Sequence, residues 1–274
     1  MGKMKFEGSK LLNVACFFIC LFLLFPVIII LISSFDPAKY IRFPPSGFSM
    51  LWYQYFLSNA NWQKAFANSL YIATLTTLIS VPCGVLAALA YRKYNFKFKN
   101  LLNTIVVLPY VTPSLLIGIT ILMTFSRTFL RGTYYLVAAA HSLWSTSFIY
   151  LLMQAALSNY DLTFEEAAMD LGASPLRTFI EVTLPSLKSA IISSVIFGFI
   201  TSFGEVTMAI FLTTSETITL PVALWKSLKF ELHPVALVAS MICIIFAVGT
   251  MAIIVKFVGI ETLSKIGAKT EMSK

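Results

Sequence analysis

Residues 160–175 read Tyr-Asp-Leu-Thr-Phe-Glu-Glu-Ala-Ala-Met-Asp-Leu-Gly-Ala-Ser-Pro, within a segment that runs to residue 187 and includes Leu-Pro at 184–185. The segment 160–187 is the one long polar interruption in an otherwise apolar chain. Thr163 precedes Glu166 by three residues, which is the spacing of a capping box, where hydroxyl and carboxylate satisfy backbone N–H groups at a helix start. The spacing predicts a short helix from Phe164 to Leu171.

A sharp turn is predicted directly after this helix. Gly172 suits the left-handed residue that ends a helix, and Ser174-Pro175 has the sequence of a second helix start, with proline at the first helical position. Each helix carries one apolar stripe to bury. The stripes consist of Phe164, Ala167, Ala168 and Leu171 on the first helix and Leu176, Phe179, Ile180 and Leu184 on the second.

The composition indicates an integral membrane protein. Hydrophobic residues make up 58% of the 274-residue chain and charged residues only 12%, whereas about a quarter of the residues of a soluble domain are charged. The formal net charge of +8 comes from Lys and Arg at the ends of apolar runs, where membrane topology places them. We therefore expect no nucleic-acid partner.

The sequence offers no catalytic or metal chemistry. The four cysteines lie in apolar runs, and the two histidines, His141 and His233, are far apart without spaced metal ligands. The chain contains no G-x-x-x-x-G-K-[ST] phosphate-binding loop. We expect no catalytic residue, no metal and no cofactor on this chain.

Six apolar runs predict an all-α membrane protein with six transmembrane helices in a single domain, residues 1–274. The spans are expected at about 11–35, 66–91, 100–126, 132–156, 189–214 and 234–258. With both termini inside, 13 Lys and Arg lie on the side of the segment 160–187 and 7 on the other. The positive-inside rule then predicts that the termini and this segment are cytoplasmic.

The segment 160–187 resembles the E-A-A loop of the permease subunits of ABC importers. The resemblance is carried by Glu166-Ala167-Ala168, three further residues and Gly172, followed by Val182-Thr183-Leu184-Pro185, with valine where the family usually has isoleucine. It implies a type I importer permease fold in a bacterial inner membrane. The residues implied in coupling to an ATPase are Glu165, Glu166, Ala167, Ala168, Asp170, Leu171, Gly172, Leu184 and Pro185.

The resemblance also implies a set of partners. They are a cytoplasmic dimer of ATP-binding subunits, which would hold and hydrolyse ATP, a second permease subunit that is identical or homologous, and an external substrate-binding protein. The lipid bilayer surrounds the spans.

Glu205 is the only acidic residue well inside an apolar run, and a carboxylate there is costly unless it faces a cavity or a partner. Two interpretations stay open. Glu205 and Ser202 line the translocation path, or Glu205 is a structural group bonded to hydroxyls such as that of Ser202 or to a neighbouring subunit.

The stretch around Glu205, with Thr219-Leu220-Pro221 and the segment ending in His233-Pro234, resembles the polyamine branch of these permeases. That branch often has two adjacent acids near Gly204-Glu205 and Asp-Pro in place of His233-Pro234. The resemblance implies a polyamine or a related organic amine as the solute.

Two other classes of function make different demands on the sequence. A secondary transporter or channel that needs no ATPase should carry ion-coupling charges on several helices, and Glu205 stands nearly alone. An intramembrane enzyme would need paired catalytic residues that the sequence lacks.

Overall fold

The computed structural model describes residues 8–258, which form helices joined by turns and contain no strand. The helices are α1 Gly8–Ser33, α2 Leu51–Ser58, α3 Ala60–Lys93, α4 Lys99–Val111, α5 Ser114–Phe125, α6 Tyr134–Leu157, α7 Thr163–Asp170, α8 Pro175–Thr178, a π-helical turn Phe179–Thr183, α9 Leu184–Ser186, α10 Lys188–Phe203, α11 Ala209–Leu212, α12 Leu220–Phe230 and α13 Val235–Val258. The all-α class predicted from the sequence is confirmed.

Three single helices are long and apolar enough to cross a membrane: Leu12–Ser33, α3 and α6. Two bent pairs raise the number to five if each pair is one span. One pair is α4 with α5, bent by 101°. The other is the segment Pro175–Ser186 with α10, bent by 73°. A further apolar stretch, Val235–Thr250, is shorter. The count of six spans stays a prediction.

The breaks in these helices follow from local sequence. The chain between α4 and α5 contains Pro113, which lacks a backbone N–H and restricts the residue before it to extended conformations; Thr112 is accordingly extended, with ψ 132°. α6 begins where the side chain of Thr133 accepts a hydrogen bond from the N–H of Leu136, as an N-cap residue does. α10 ends at Gly204.

The described residues belong to two compact units, one comprising residues 64–223 with 245–258 and the other residues 8–63 with 224–244. The expectation of a single domain, 1–274, stays a prediction. In the larger unit α6 is central, because Ile149, Tyr150 and Met153 are fully buried. A Cβ at Gly84 of α3 would lie 2.7 Å from a methyl carbon of Ile149. Glycine is therefore needed where α3 crosses α6.

In the smaller unit, the loop after α1 is organised around Asp36. Its carboxylate accepts hydrogen bonds from Arg42 Nε at 2.9 Å and from Ser46 Oγ at 2.6 Å. The bond from Ser46, with those from Arg42 and two backbone N–H groups, outweighs burial and lowers the pKa of Asp36 to about 2. This carboxylate therefore holds the loop 37–46 together from inside.

Candidate functional site

The helix predicted at the centre of segment 160–187 is present as α7, Thr163–Asp170, one residue earlier at each end than expected. The predicted capping box is wrong. The N-cap position belongs to Leu162, and the helix start has no side-chain cap. Asp161 Oδ1 instead accepts the N–H of Thr163 at 3.0 Å, which places the Thr163 hydroxyl inside the first turn rather than before it.

The turn after α7 agrees with the prediction. Gly172 has φ +89°, the left-handed region, and no heavy atom lies within 4 Å of the position of an added Cβ. Glycine is thus required by backbone conformation rather than by lack of space. The second helix start is also confirmed, since Ser174 Oγ accepts the N–H of Arg177 at 3.3 Å and Pro175 follows it.

Glu165 points into the protein, unlike its neighbours on α7. Its carboxylate accepts a hydrogen bond from Lys93 Nζ at 2.5 Å and another from Thr183 Oγ1 at 2.7 Å. Burial alone would raise the pKa of Glu165, but the bonds from Lys93 and Thr183 outweigh burial and lower it. One carboxylate therefore connects α7 to the end of α3 and to the π-helical turn.

The other residues assigned to ATPase coupling, together with Phe164 and Leu176, form what we call the coupling face, which is turned to the outside. Leu171 is 91% exposed, and Phe164 and Leu176 are 61% and 68% exposed. Glu166, Ala167, Asp170, Gly172 and Pro185 are also exposed, while Ala168 and Leu184 are half-buried. Three large apolar side chains thus stand unpartnered beside two acidic ones, as on a protein-docking surface.

The second predicted site is a cavity of about 470 Å³ at the bend between α4 and α5. Glu205 lines this cavity together with Tyr110, Trp144 and Thr201. The rings of Tyr110 and Trp144 lie 5.2 Å apart, centroid to centroid. A carboxylate beside two electron-rich rings is an arrangement that attracts organic cations.

Glu205 also has a structural role. Its Oε1 accepts the N–H groups of Thr207 and Met208 at 3.0 and 3.1 Å, and its Oε2 accepts those of Met208 and Ala209 at 2.9 and 3.1 Å. The carboxylate therefore supplies acceptors to the N–H groups that the break between α10 and α11 leaves free. The chain can interrupt its helix here because Glu205 compensates the lost backbone bonds.

Ser202, the other residue predicted on the path, is buried and does not line the cavity. Its hydroxyl is 2.9 Å from His141 Nδ1 and donates to Thr76 Oγ1 at 3.0 Å. The bond between Ser202 and Glu205 suggested from the sequence is therefore replaced by this chain of three side chains. His141 Nε2 lies 3.7 Å from Glu205 Oε2.

Several residues of these sites carry no recognisable signal in the sequence. Lys93 is one of four basic residues between two spans, and only the fold brings it to Glu165. Tyr110 and Trp144 are ordinary aromatic residues of apolar helices. Among the described residues no three His, Cys, Asp or Glu side chains are placed to hold a metal ion.

Comparison with known proteins identifies the family to which the chain belongs. Residues 80–259 match the family model described as "Binding-protein-dependent transport system inner membrane component". The chain belongs to this family and is the permease component of an ABC importer, a multi-pass membrane protein.

Two relatives carry names of transport systems for 2-aminoethylphosphonate and putrescine. The chain is 32% identical over 215 residues to the 2-aminoethylphosphonate transport system permease protein PhnV of Salmonella typhi, covering 78% of this chain and 81% of that protein. It is 28% identical to the putrescine transport system permease protein PotI of Escherichia coli K12, covering 78% of each. The fold also matches a bacterial alginate ABC transporter at a TM-score of 0.75 and 17% identity, over 94% of this chain and 98% of that one.

Proposed function

We propose that this permease imports an organic amine, driven by ATP that is bound and hydrolysed on a separate cytoplasmic subunit. Two copies of the ATP-binding subunit, a second permease subunit and an external substrate-binding protein would complete the transporter. The observation that carries the proposal is α7, which is fixed from inside by Glu165 and exposes Phe164 and Leu171 on the other side.

The coupling face has the chemistry of a docking site on another protein. Burying Phe164, Leu171 and Leu176 in a groove would remove large apolar surfaces from water, worth about 1.5–3 kcal/mol for each fully buried side chain. Small residues at 167 and 168 let a partner approach the helix closely, and Glu166 and Asp170 add two negative charges that would pair with basic groups of the groove.

The internal contacts of α7 provide a route for movement. The bond from Lys93 attaches α7 to α3, and the bond from Thr183 attaches it to the π-helical turn that leads through α9 into α10. A displacement of α7 by closing ATPase subunits would thus act on two helices of the larger unit. Such a rigid link turns a movement at the cytoplasmic end into a rearrangement of the path.

The cavity at Glu205 supports an organic amine as the solute. An ammonium group there would meet a carboxylate and the faces of Tyr110 and Trp144, while Thr201 offers a hydroxyl that can accept a hydrogen bond. Because the N–H groups of residues 207–209 hold the Glu205 carboxylate in place, little side-chain entropy is lost when a cation binds. Two relatives are named for the transport of 2-aminoethylphosphonate and of putrescine, and both of these solutes are amines.

The proposal is tested by uptake into vesicles that contain the full set of partners. Putrescine, 2-aminoethylphosphonate and a neutral sugar are offered in parallel, with and without ATP inside. We expect uptake of an amine that requires ATP and the binding protein. Uptake by the chain without the ATP-binding subunits would contradict the coupling proposal and favour a secondary transporter. ATP-driven uptake of the sugar in preference to both amines would contradict the proposal of an organic amine as the solute, but not the proposal of coupling to an ATPase.

A further inference from the structure

A second, smaller cavity lies where three helices of the larger unit end. It measures about 200 Å³ and is lined by Tyr91, Arg92, Lys99, Gln154, Leu157 and Ser158. These residues come from the end of α3, the start of α4 and the end of α6. Because α3, α6 and the pair of α4 with α5 are candidate spans, the cavity lies at the ends of three candidate spans.

The lining of this cavity is basic and contains no carboxylate. Neither Arg92 nor Lys99 makes a salt bridge within the described part of the chain, whereas nearby Lys93 is paired with Glu165. Lys99 is half-buried, with its Nζ 4.9 Å from the centre of the Tyr91 ring. The half-buried Lys99 and the exposed Arg92 are thus both available to bind an anion in the cavity.

Gln154 provides an independent indication of a ligand. It lines the cavity, and its Nε2 is buried without a hydrogen-bond acceptor among the described residues. A buried amide donor without an acceptor is unfavourable for the folded state. In addition, α4, a helix of 13 residues, begins at Lys99 without a side-chain cap, so its free N–H groups and positive dipole end are available near the same place.

We propose that this cavity binds the phosphate of an anionic phospholipid headgroup. The phosphate oxygens would accept hydrogen bonds from Arg92, Lys99 and Gln154, and the acyl chains would extend along the apolar surfaces of the helices. Basic pockets between the ends of transmembrane helices are suited to such headgroups. Zwitterionic phosphatidylcholine has the same phosphate, but its choline group would be repelled by the two cations.

The proposed lipid site adjoins the segment that carries the coupling face. Arg92 lines an adjoining crevice with Glu166 and Thr163 of α7 and with Asp161. A lipid phosphate bound to Arg92 would keep this guanidinium away from the acidic residues of the coupling face. The inference about the lipid does not depend on the proposed solute or on the ATPase.

The experiment measures lipid retained by the full-length chain in nanodiscs made of equal parts phosphatidylglycerol and phosphatidylcholine. After extraction, bound lipids are counted by native mass spectrometry for the parent and for Arg92→Gln, Lys99→Gln and their combination. We expect preferential retention of phosphatidylglycerol by the parent, and a loss of about fivefold for each charge removed. Lys99→Arg, which keeps the charge, is expected to retain the lipid and controls for folding.

Lys97→Gln is the matched control, because Lys97 is exposed in the loop just before Lys99 and does not line the cavity. Equal loss in Lys97→Gln and Lys99→Gln would overturn the proposal, since it would indicate general attraction to a basic surface. Gln154→Leu removes the amide without changing charge and should also lower retention. Unchanged retention in both Lys99→Gln and Arg92→Gln would overturn the site.

A second experiment distinguishes a lipid headgroup from a free phosphate ion as the ligand. Nanodiscs of phosphatidylcholine alone are titrated with inorganic phosphate in an isothermal titration calorimeter. We expect no saturable binding, because the site needs the acyl chains for affinity. Saturable binding of inorganic phosphate that is lost in Lys99→Gln, together with no preference for phosphatidylglycerol, would overturn the lipid in favour of a soluble phosphate.

Discussion

Lys93 Nζ lies 2.5 Å from a carboxylate oxygen of Glu165, so the end of the long helix α3 is bonded to the first turn of α7. The two side chains are 19% and 10% exposed, and Thr183 donates to the second oxygen of the same carboxylate. This ion pair is the point at which the coupling segment is attached to a span. It gives the two glutamates of α7 different roles, with Glu165 facing inward and Glu166 facing out.

Replacing Lys93 by methionine should weaken this attachment. The Glu165 carboxylate would be left largely buried with only Thr183 as a partner, which costs roughly 1–3 kcal/mol. We expect a lower melting temperature in detergent and a loss of substrate-stimulated ATP hydrolysis. The control is Glu166→Gln, which changes an exposed carboxylate and should leave the melting temperature unchanged. Equal destabilisation by both variants would show that the position of Glu165 is not special.

The same ion pair predicts a pH dependence. The folded-state pKa of Glu165 is lowered below its usual value of 4.5, so its stabilising contribution is complete above that value and is lost as the pH falls through the folded pKa. Parent and Glu165→Gln should therefore differ in melting temperature at neutral pH and converge in acid. A difference that stays constant down to the acid limit of folding would contradict this account.

Substitutions of Gly172 should reduce uptake to different degrees. Because no atom would meet an added Cβ and φ is +89°, the cost of a side chain comes from the backbone, about 1–2 kcal/mol for an ordinary residue. Asparagine tolerates this region better than valine. We expect Gly172→Asn to retain most ATP-driven uptake and Gly172→Val to lose most of it at equal membrane abundance. Equal uptake by the two variants would contradict a role for the positive φ.

Glu205 can be tested for its two roles separately. Glutamine keeps one carbonyl acceptor but turns an amide toward backbone N–H groups, so Glu205→Gln should lose about two hydrogen bonds, each worth roughly 1 kcal/mol. Beyond this loss of stability, we expect uptake of the amine to fall sharply even at equal abundance. Thr201→Val is a control that alters the cavity without removing charge. Cation uptake like that of the parent in Glu205→Gln would leave only the structural role.

The predicted orientation is tested with single cysteines, after replacement of Cys16, Cys20, Cys83 and Cys243. A membrane-impermeant thiol reagent should label intact cells at positions 39 and 226 and fail to label them at position 97. Positions 3 and 269, also predicted to be cytoplasmic, lie outside the described residues and can be tested in the same way. Labelling of position 97 in intact cells would reverse the topology.

The features that the sequence predicted correctly are local ones. Gly172 and Ser174-Pro175 act through backbone conformation and capping within a few residues, so their spacing is enough to identify them. The capping box failed because α7 begins one residue earlier than expected, with Leu162 at the N-cap position, and because Asp161 rather than Thr163 supplies a side-chain acceptor at this end of the helix. The ion pair between Lys93 and Glu165 joins residues 72 positions apart, and no periodicity of the chain encodes it.

At the Glu205 cavity, too, the sequence identified an unusual residue but not its contacts. A carboxylate inside an apolar run identified Glu205 as unusual, because burial of charge is expensive. Its partners could not be predicted, since they are backbone N–H groups freed by a helix break that begins at Gly204. Ser202 was assigned by its nearness in sequence and bonds instead to His141 and Thr76. Tertiary packing decides which hydroxyl meets which partner.

The central claim, that segment 160–187 docks on an ATP-binding subunit, is tested most directly by cross-linking in living cells. A photoreactive phenylalanine analogue is placed at Leu171, which is 91% exposed, and at Phe129, which is 90% exposed in a loop predicted to be external. After irradiation, the cross-linked proteins are identified by mass spectrometry. We expect position 171 to capture a protein with a G-x-x-x-x-G-K-[ST] nucleotide-binding loop and position 129 to capture none. Failure to capture such a protein at position 171, or equal capture at both positions, would contradict the claim.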